Sequence, residues 1–261
     1  LVFDASGSFN LRQADFMQRF FKFVLVLALM LGSGYVLYRV GEHSRLADRI
    51  ADRISKPSVV AHRKAAWKEL DERGFEPGMP VFIRIFKQTS ELEMWLRTRS
   101  GWELFRTIEI CRFSGRLGPK LKQGDKQAPE GFYTVTKGQL NPNSRHHLSF
   151  NLGYPNRFDR SHGRTGSFLM VHGGCTSAGC YAIRDHEVDV VYKLVEAALN
   201  NGQRSVPVHA FPFRLEKAAL ARHKGKKWHR FWTMLKPGYD RFERERQLPK
   251  VRVANKSYLV N

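Results

Sequence analysis

A mainly β fold with flanking helices is predicted by three features of this 261-residue sequence. Short segments rich in β-forming residues run from Val81 onward, separated by turn-like clusters. An apolar stretch, Phe168 to His172, stops at the glycine pair Gly173 and Gly174. After Cys180 the apolar residues change from alternating to helical spacing.

The segments VFIRIF (81–86), LEMWLR (92–97) and WELFRTIEIC (102–111) are separated by KQTS and TRSG, which predicts a small antiparallel meander. A loop rich in Gly, Pro, Lys and Asp spans 114–131, and FYTVTKG (132–138) follows as a strand. HLSFNLGYP is a further strand ended by Pro155, and FLMVHG (168–173) is another. Asp185 is placed to cap a helix whose apolar face is Val188, Val191, Leu194, Val195, Ala198 and Leu199, ending near Gly202. VPVHAFPF (206–213) is the last candidate strand. The tail from Glu216 reads as helical and basic. Its aromatics Trp228, Phe231, Trp232, Tyr239 and Phe242 are expected to face the domain rather than a nucleic acid or membrane surface.

Upstream, Ser44–Arg73 is charged and helix-compatible. Pro57 splits it, Ser58 caps its second half, and Ala61, Ala65, Trp67 and Leu70 give an apolar stripe that Gly74 stops. Residues 23–38 carry no charge and follow Arg19 and Lys22. That is the layout of a secretory signal or of an uncleaved signal-anchor held in the inner membrane through residues 20–38. Gly32 and Gly34 offer only a weak cleavage site, and Met17 is the expected start of translation. The expected organisation is an extension and signal over 1–42, a helical linker over 43–78, a catalytic domain over 79–215 and a basic C-terminal extension over 216–261. Export makes the periplasm the expected location.

Lysine and arginine number 44 against 24 acidic residues, a formal charge of +20. The excess implies attraction to polyanions: nucleic acid, anionic lipid or wall polymer. With no P-loop, zinc-finger spacing or RNA-recognition signature beside it, nucleic acid is not an expected partner. Lys120, Lys122 and Lys126 read as a solvated loop face. An apolar content of 42% excludes a disordered chain.

The informative stretch is FLMVHGGCTSAGCYAI, residues 168–183. A strand delivers His172 to a glycine pair, and a tight loop of small residues then presents Cys180. A thiol is a strong nucleophile only as thiolate, so it needs a base one hydrogen bond away. Gly179 leaves the backbone open to a substrate carbonyl, and N–H groups near Gly179 and Cys180 are candidates for an oxyanion hole. Cys175 has four readings: a small buried thiol (the favoured one), a partner for Cys111, a bridge to Cys180 that would silence the site, or a zinc ligand. His172, Cys175 and Cys180 provide three ligands where a closed zinc site needs four. His146 and His147 read as surface residues.

Ser177-Ala178-Gly179-Cys180 after His172-Gly173 resembles the signature of the L,D-transpeptidase (YkuD-like) family. GPKLKQGDKQAPEGFYTV (118–135), with Pro129, Gly131 and Tyr133, is similar to a second family segment, and SFNLGYPNRFDR (149–160) to a third. The short His-to-Cys spacing and the tail FWTMLKPGYDRFE (231–243) resemble the YafK-like branch. The resemblance runs from about Val81 to Tyr258. It implies a β-sandwich catalytic domain, Cys180 as nucleophile and His172 as general base held by a backbone carbonyl. It implies no cofactor and no metal. Gly179, Ser177 and Tyr181 are then expected around the nucleophile, and Tyr154, Asn156 and Gly173 in the cleft. Ala178 replaces a second histidine, and Ala182 replaces an arginine that contacts substrate carboxylate. Arg164 and Arg184 are the candidates to restore that charge. The implied partners are peptidoglycan stem peptides and, for the YafK-like branch, a wall-bound lipoprotein or outer-membrane protein. The implied reaction is amide exchange or hydrolysis through an acyl-enzyme. The competing readings are a catalytically degenerate, membrane-anchored wall-binding scaffold and a zinc-binding module.

Overall fold

The computed structural model describes residues 59–261. The readings made on the preceding segment (the apolar run 20–38, Met17 and the first linker helix) lie outside the described residues. In chain order the elements are α1 (Val59–Glu72), β1 (Val81–Phe86), β2 (Glu91–Arg97), β3 (Trp102–Glu109), β4 (Arg112–Phe113), β5 (Gly131–Val135), β6 (Leu140–Asn141), β7 (Ser149–Asn151), α2 (Arg157–Ser161), β8 (Met170–His172), β9 (Tyr181–Ala182), α3 (Asp185–Asn200), β10 (Val206–Phe211), α4 (Lys217–Arg222), α5 (His229–Glu245), β11 (Val251–Ala254) and β12 (Ser257–Val260).

Two five-stranded sheets carry the architecture. The first has the order β3-β2-β1-β10-β5 and contains the meander, with β10 parallel to β1 and β5 antiparallel to β10. The second has the order β4-β9-β8-β7-β6. Apolar side chains from both sheets and from α3 join one buried cluster that includes Ile83, Tyr133, Phe150, Val171, Tyr181, Val191 and Val208. Helix α1 lies on α3, buries Ala66 and Leu70 in the same core, and stops at Gly74, which takes φ +69°.

Strand β1, apolar at every position but Arg84, is buried along its whole length. Val81, Ile83 and Ile85 face the main core. Phe82 and Phe86 face aromatic clusters that the C-terminal segment completes with Phe242, Tyr239 and Trp232. Arg84, on that second face and 2% exposed, pairs with Glu93 and Glu243 and lies against the Trp95 and Phe242 rings. The aromatics of α5 therefore cover the outer side of the first sheet, and Gly238 is required there because a Cβ would come 2.7 Å from the Phe132 ring.

The C-terminal tail differs from the all-helical expectation. It is helical over α4 and α5 but ends in the hairpin β11–β12. Asn255 and Lys256, both at positive φ (48° and 55°), form the two-residue turn. The two-residue strands β4, β6 and β9 are too short to leave a period in the sequence. The N-cap of α3 is Arg184. Asp185 is the first helical residue, and its carboxylate instead accepts the Gly174 N–H at 2.8 Å.

One fully buried ion pair ties the loop 118–130 to both its neighbours. Lys87 Nζ donates to Glu130 at 3.0 Å and to the carbonyls of Gly118 and Ala128. Glu130 also accepts from the Gly118 N–H and from Trp232 Nε1 on α5. Burial pulls the Lys87 ammonium below its usual value, and Glu130 opposes that shift. Removing one partner strands the other charge. Glu130→Gln is expected to cost about 3–5 kcal/mol in urea unfolding. Lys87→Met with Glu130→Leu is expected to cost less than Glu130→Gln alone, because no orphan charge remains.

Candidate active site

The site grows from two strands that lie side by side and run the same way. β8 and β9 pair in register, Val171 with Tyr181 and His172 with Ala182. Side chains alternate along a strand, so Val171 and Tyr181 enter the core while His172 and Cys180 share the other face. Parallel neighbours ordinarily need a crossover of a dozen or more residues. Here residues 173–180 make the connection alone, and the backbone shows how. Gly173 leaves no room for a side chain, since a Cβ would come 2.5 Å from Asp185 Oδ1 and 2.8 Å from the His146 carbonyl. Gly179 takes φ +138°, which L side chains rarely adopt.

Three braces hold this loop. Cys175 forms a disulfide with Cys111, beside β4. The Ser177 hydroxyl donates to the Cys180 carbonyl at 2.8 Å and accepts from Ser114 Oγ and the Gly179 N–H. Asp185 holds the Gly174 N–H. The disulfide corrects the favoured reading of Cys175 as a free buried thiol: 64 residues separate the two cysteines, and only the folded chain brings them together. It also removes Cys175 from any set of zinc-binding thiolates and from a bridge to Cys180, which is free.

His172 is 4% exposed. Its Nδ1 lies 2.6 Å from the Gly173 carbonyl, which can only accept, so Nδ1 carries the proton and Nε2 keeps its lone pair. Burial lowers the His172 pKa, the Gly173 carbonyl partly offsets this, and His146 adds to the lowering. The Cys180 sulfur accepts the Met170 N–H at 3.4 Å and donates to the Phe168 carbonyl at 3.5 Å. Burial pushes the thiol up. The Met170 N–H and the Lys120 ammonium act the other way without reversing the shift. Both shifts run toward the uncharged form, imidazole for His172 and thiol for Cys180.

Both side chains line one open cavity of about 440 Å³ together with His146, Phe168, Met170, Thr176, Ser177 and Ala178. Of the residues expected from sequence, His172, Ser177 and Cys180 meet here, with Gly173 and Gly179 in the connecting loop. The Gly179 N–H is donated to Ser177 rather than left free. Tyr181 is fully buried, its hydroxyl donating to the Pro129 carbonyl at 2.6 Å. Tyr154, Asn156 and Arg164 belong to a separate network. Tyr154 donates to the Lys120 carbonyl, Asn156 caps α2 and binds Tyr258, and Arg164 pairs with Asp159 at 2.7 Å. Arg184 is exposed and pairs with Glu109. Lys120 corrects the solvated-face reading: it is 4% exposed, with Asp125 at 2.5 Å.

Four lining residues, His146, Phe168, Met170 and Thr176, escaped the sequence reading. His146 is exposed, as a surface residue should be, yet its ring centre lies 4.6 Å from that of His172. The antiparallel pairing of β7 with β8, Ser149 opposite His172, carries it there. Phe168, 71% exposed with φ +55°, lines the cavity, and its carbonyl accepts from the sulfur. Strand pairing between HLSF and FLMVH was the signal available for His146; Phe168 left none.

No protein-family model matches the chain. Over 184 residues it is 45% identical to the Escherichia coli K12 protein named "Putative L,D-transpeptidase YafK", covering 70% of this chain and 75% of that one. The chain belongs to the L,D-transpeptidase family. Among solved structures, the helical cell shape determining protein Pgp2 of Campylobacter jejuni aligns over 76% of this chain and 81% of its own, with 16% identity and a TM-score of 0.43. Mycobacterium tuberculosis L,D-transpeptidase 1 aligns over 52% and 64%, with 14% identity and a TM-score of 0.28. Membership of the family rests on the 45% identity alone.

Two outcomes follow from this geometry. Replacing Cys111 and Cys175 by serine is expected to cost up to roughly 4 kcal/mol in denaturant unfolding, from the loop the bridge closes. The rate of Cys180 alkylation by iodoacetamide, followed by mass spectrometry, is expected to rise with pH through a midpoint above that of free cysteine. A midpoint well below it would reveal a preformed thiolate.

Proposed function

We propose that the protein is a peptidoglycan-modifying cysteine enzyme that forms an acyl-enzyme on Cys180. The observation carrying this reading is His172 locked on the Gly173 carbonyl, in one cavity with the free thiol. Family membership supports a wall-peptide amide as substrate.

Substrate binding brings a carbonyl carbon to the sulfur. As the C–S bond forms, the thiol proton passes to Nε2 of His172, so a raised thiol pKa is no obstacle: the proton leaves while the nucleophile attacks. The tetrahedral adduct collapses by breaking the C–N bond, and His172 returns the proton to the departing amine. The thioester is then attacked by water or by a second amine, with His172 again taking a proton and passing it to the sulfur. Water gives hydrolysis, an amine gives transpeptidation. No arginine lines the cavity among the described residues; Ala182 is buried, and Arg164 and Arg184 are paired elsewhere. That favours the hydrolase side, in which a protein is detached from the wall.

The disulfide supports an oxidising compartment such as the periplasm. The apolar segment 20–38 would supply export or anchoring there.

The test is incubation with sacculi carrying bound lipoprotein and with tetrapeptide muropeptides, reading protein release and new cross-links. Cys180→Ala is expected to abolish turnover, and His172→Gln to lower it about 10²–10⁴-fold. If wild type and Cys180→Ala behave alike on both substrates, the proposal fails.

A further inference from the structure

A second concavity of about 560 Å³ lies against the loop 115–127, lined by Arg116, Leu117, Leu121, Gln127, Lys227 and Trp228 among others. Its far wall is the connection between α4 and α5. That connection and its flanks carry Arg222, Lys224, Lys226, Lys227 and Arg230. Among the described residues none of these five, nor Arg116, has a carboxylate within ion-pair distance. The buried cations, by contrast, are paired, as Arg84, Lys87, Lys120 and Arg164 are. Of the unpaired cations Arg116 and Lys227 line the groove, beside Leu117, Leu121 and Trp228; its one carboxylate, Asp125, is paired with Lys120.

The groove is built rather than incidental. Trp228 presses on the loop so closely that a Cβ on Gly118 would come 2.4 Å from its Nε1. Lys227 Nζ stands 4.8 Å from the Trp228 ring centre. Gln127 stiffens the opposite wall by donating to the Arg116 and Gly118 carbonyls. The same segment backs the nucleophile: the Gln127 carbonyl lies 3.7 Å from where a Gly179 Cβ would stand, and Ser114 donates to Ser177. Groove and catalytic cavity are thus two sides of one stretch of chain. A concave, cationic, partly apolar surface beside the nucleophile suits an anionic polymer better than a flat lipid headgroup layer.

We propose that this groove is a second binding site for the peptidoglycan strand, in which Arg116 and Lys227 take carboxylates of the strand outside the bond being cleaved. The inference rests on the wall-peptide reading above and adds a polymer-binding subsite to it. It gives the chain's excess positive charge a defined use.

Co-sedimentation of the full chain with purified sacculi tests it without requiring turnover. Arg116→Glu combined with Lys227→Glu is expected to weaken binding about tenfold or more. The charge-keeping pair Arg116→Lys and Lys227→Arg should bind as wild type does. Iodoacetamide reactivity of Cys180, the check that the site is intact, should be unchanged in both. Undiminished sacculus binding by the charge-reversed variant would overturn the proposal. So would a loss confined to vesicles of phosphatidylethanolamine and phosphatidylglycerol, which would assign the patch to lipid. Charge-dependent sacculus binding with no release and no cross-linking by wild type would uphold the groove and sink the catalytic reading.

Discussion

A lysine ammonium with no access to water must find acceptors for its protons, and a buried carboxylate must find donors. Lys87 and Glu130 solve both requirements together, and in doing so they fix where the 118–130 loop runs. The pair draws in the Gly118 backbone from one side and Trp232 of α5 from the other. Neither β1 nor the C-terminal helix can shift without exposing an unpaired charge in a low-dielectric interior. The loop held this way is the wall behind Gly179. The cationic groove is lined by this loop, and Gly179, next to Cys180, rests on it.

Against that wall, the loop 173–180 solves a different problem. It must reverse the chain quickly enough to lay β9 parallel to β8, and yet stay rigid. Glycines supply the reversal; the disulfide, Ser177 and Asp185 supply the rigidity. The outcome is an imidazole whose tautomer is set by its own neighbour's carbonyl and a thiol whose pKa burial pushes up.

The C-terminal segment has two roles in the same fold. Its buried aromatics close the outer face of the first sheet, so that β1 is a central strand with two cores. Its exposed turn between α4 and α5 brings cations to the edge of the groove. The basic-and-aromatic interleaving visible in the sequence is thus divided: aromatics inward, except for the half-buried Trp228, and charges outward.

The meander, the long helix after Cys180 and the candidate nucleophile and base were legible from local pattern, because alternation, helical spacing and a glycine-rich His-to-Cys loop are properties of neighbouring residues. The sequence by itself determined those elements and, through shared motifs, the family. Tertiary structure alone decided the pairing of Cys111 with Cys175, the burial of Lys120, the stacking of His146 beside His172 and the dispersal of Tyr154, Asn156, Arg164 and Arg184 away from the sulfur. Each of these depends on contacts between segments distant in the chain. Single-sequence periodicity records which face of an element is apolar, but not which other segment will come to cover it.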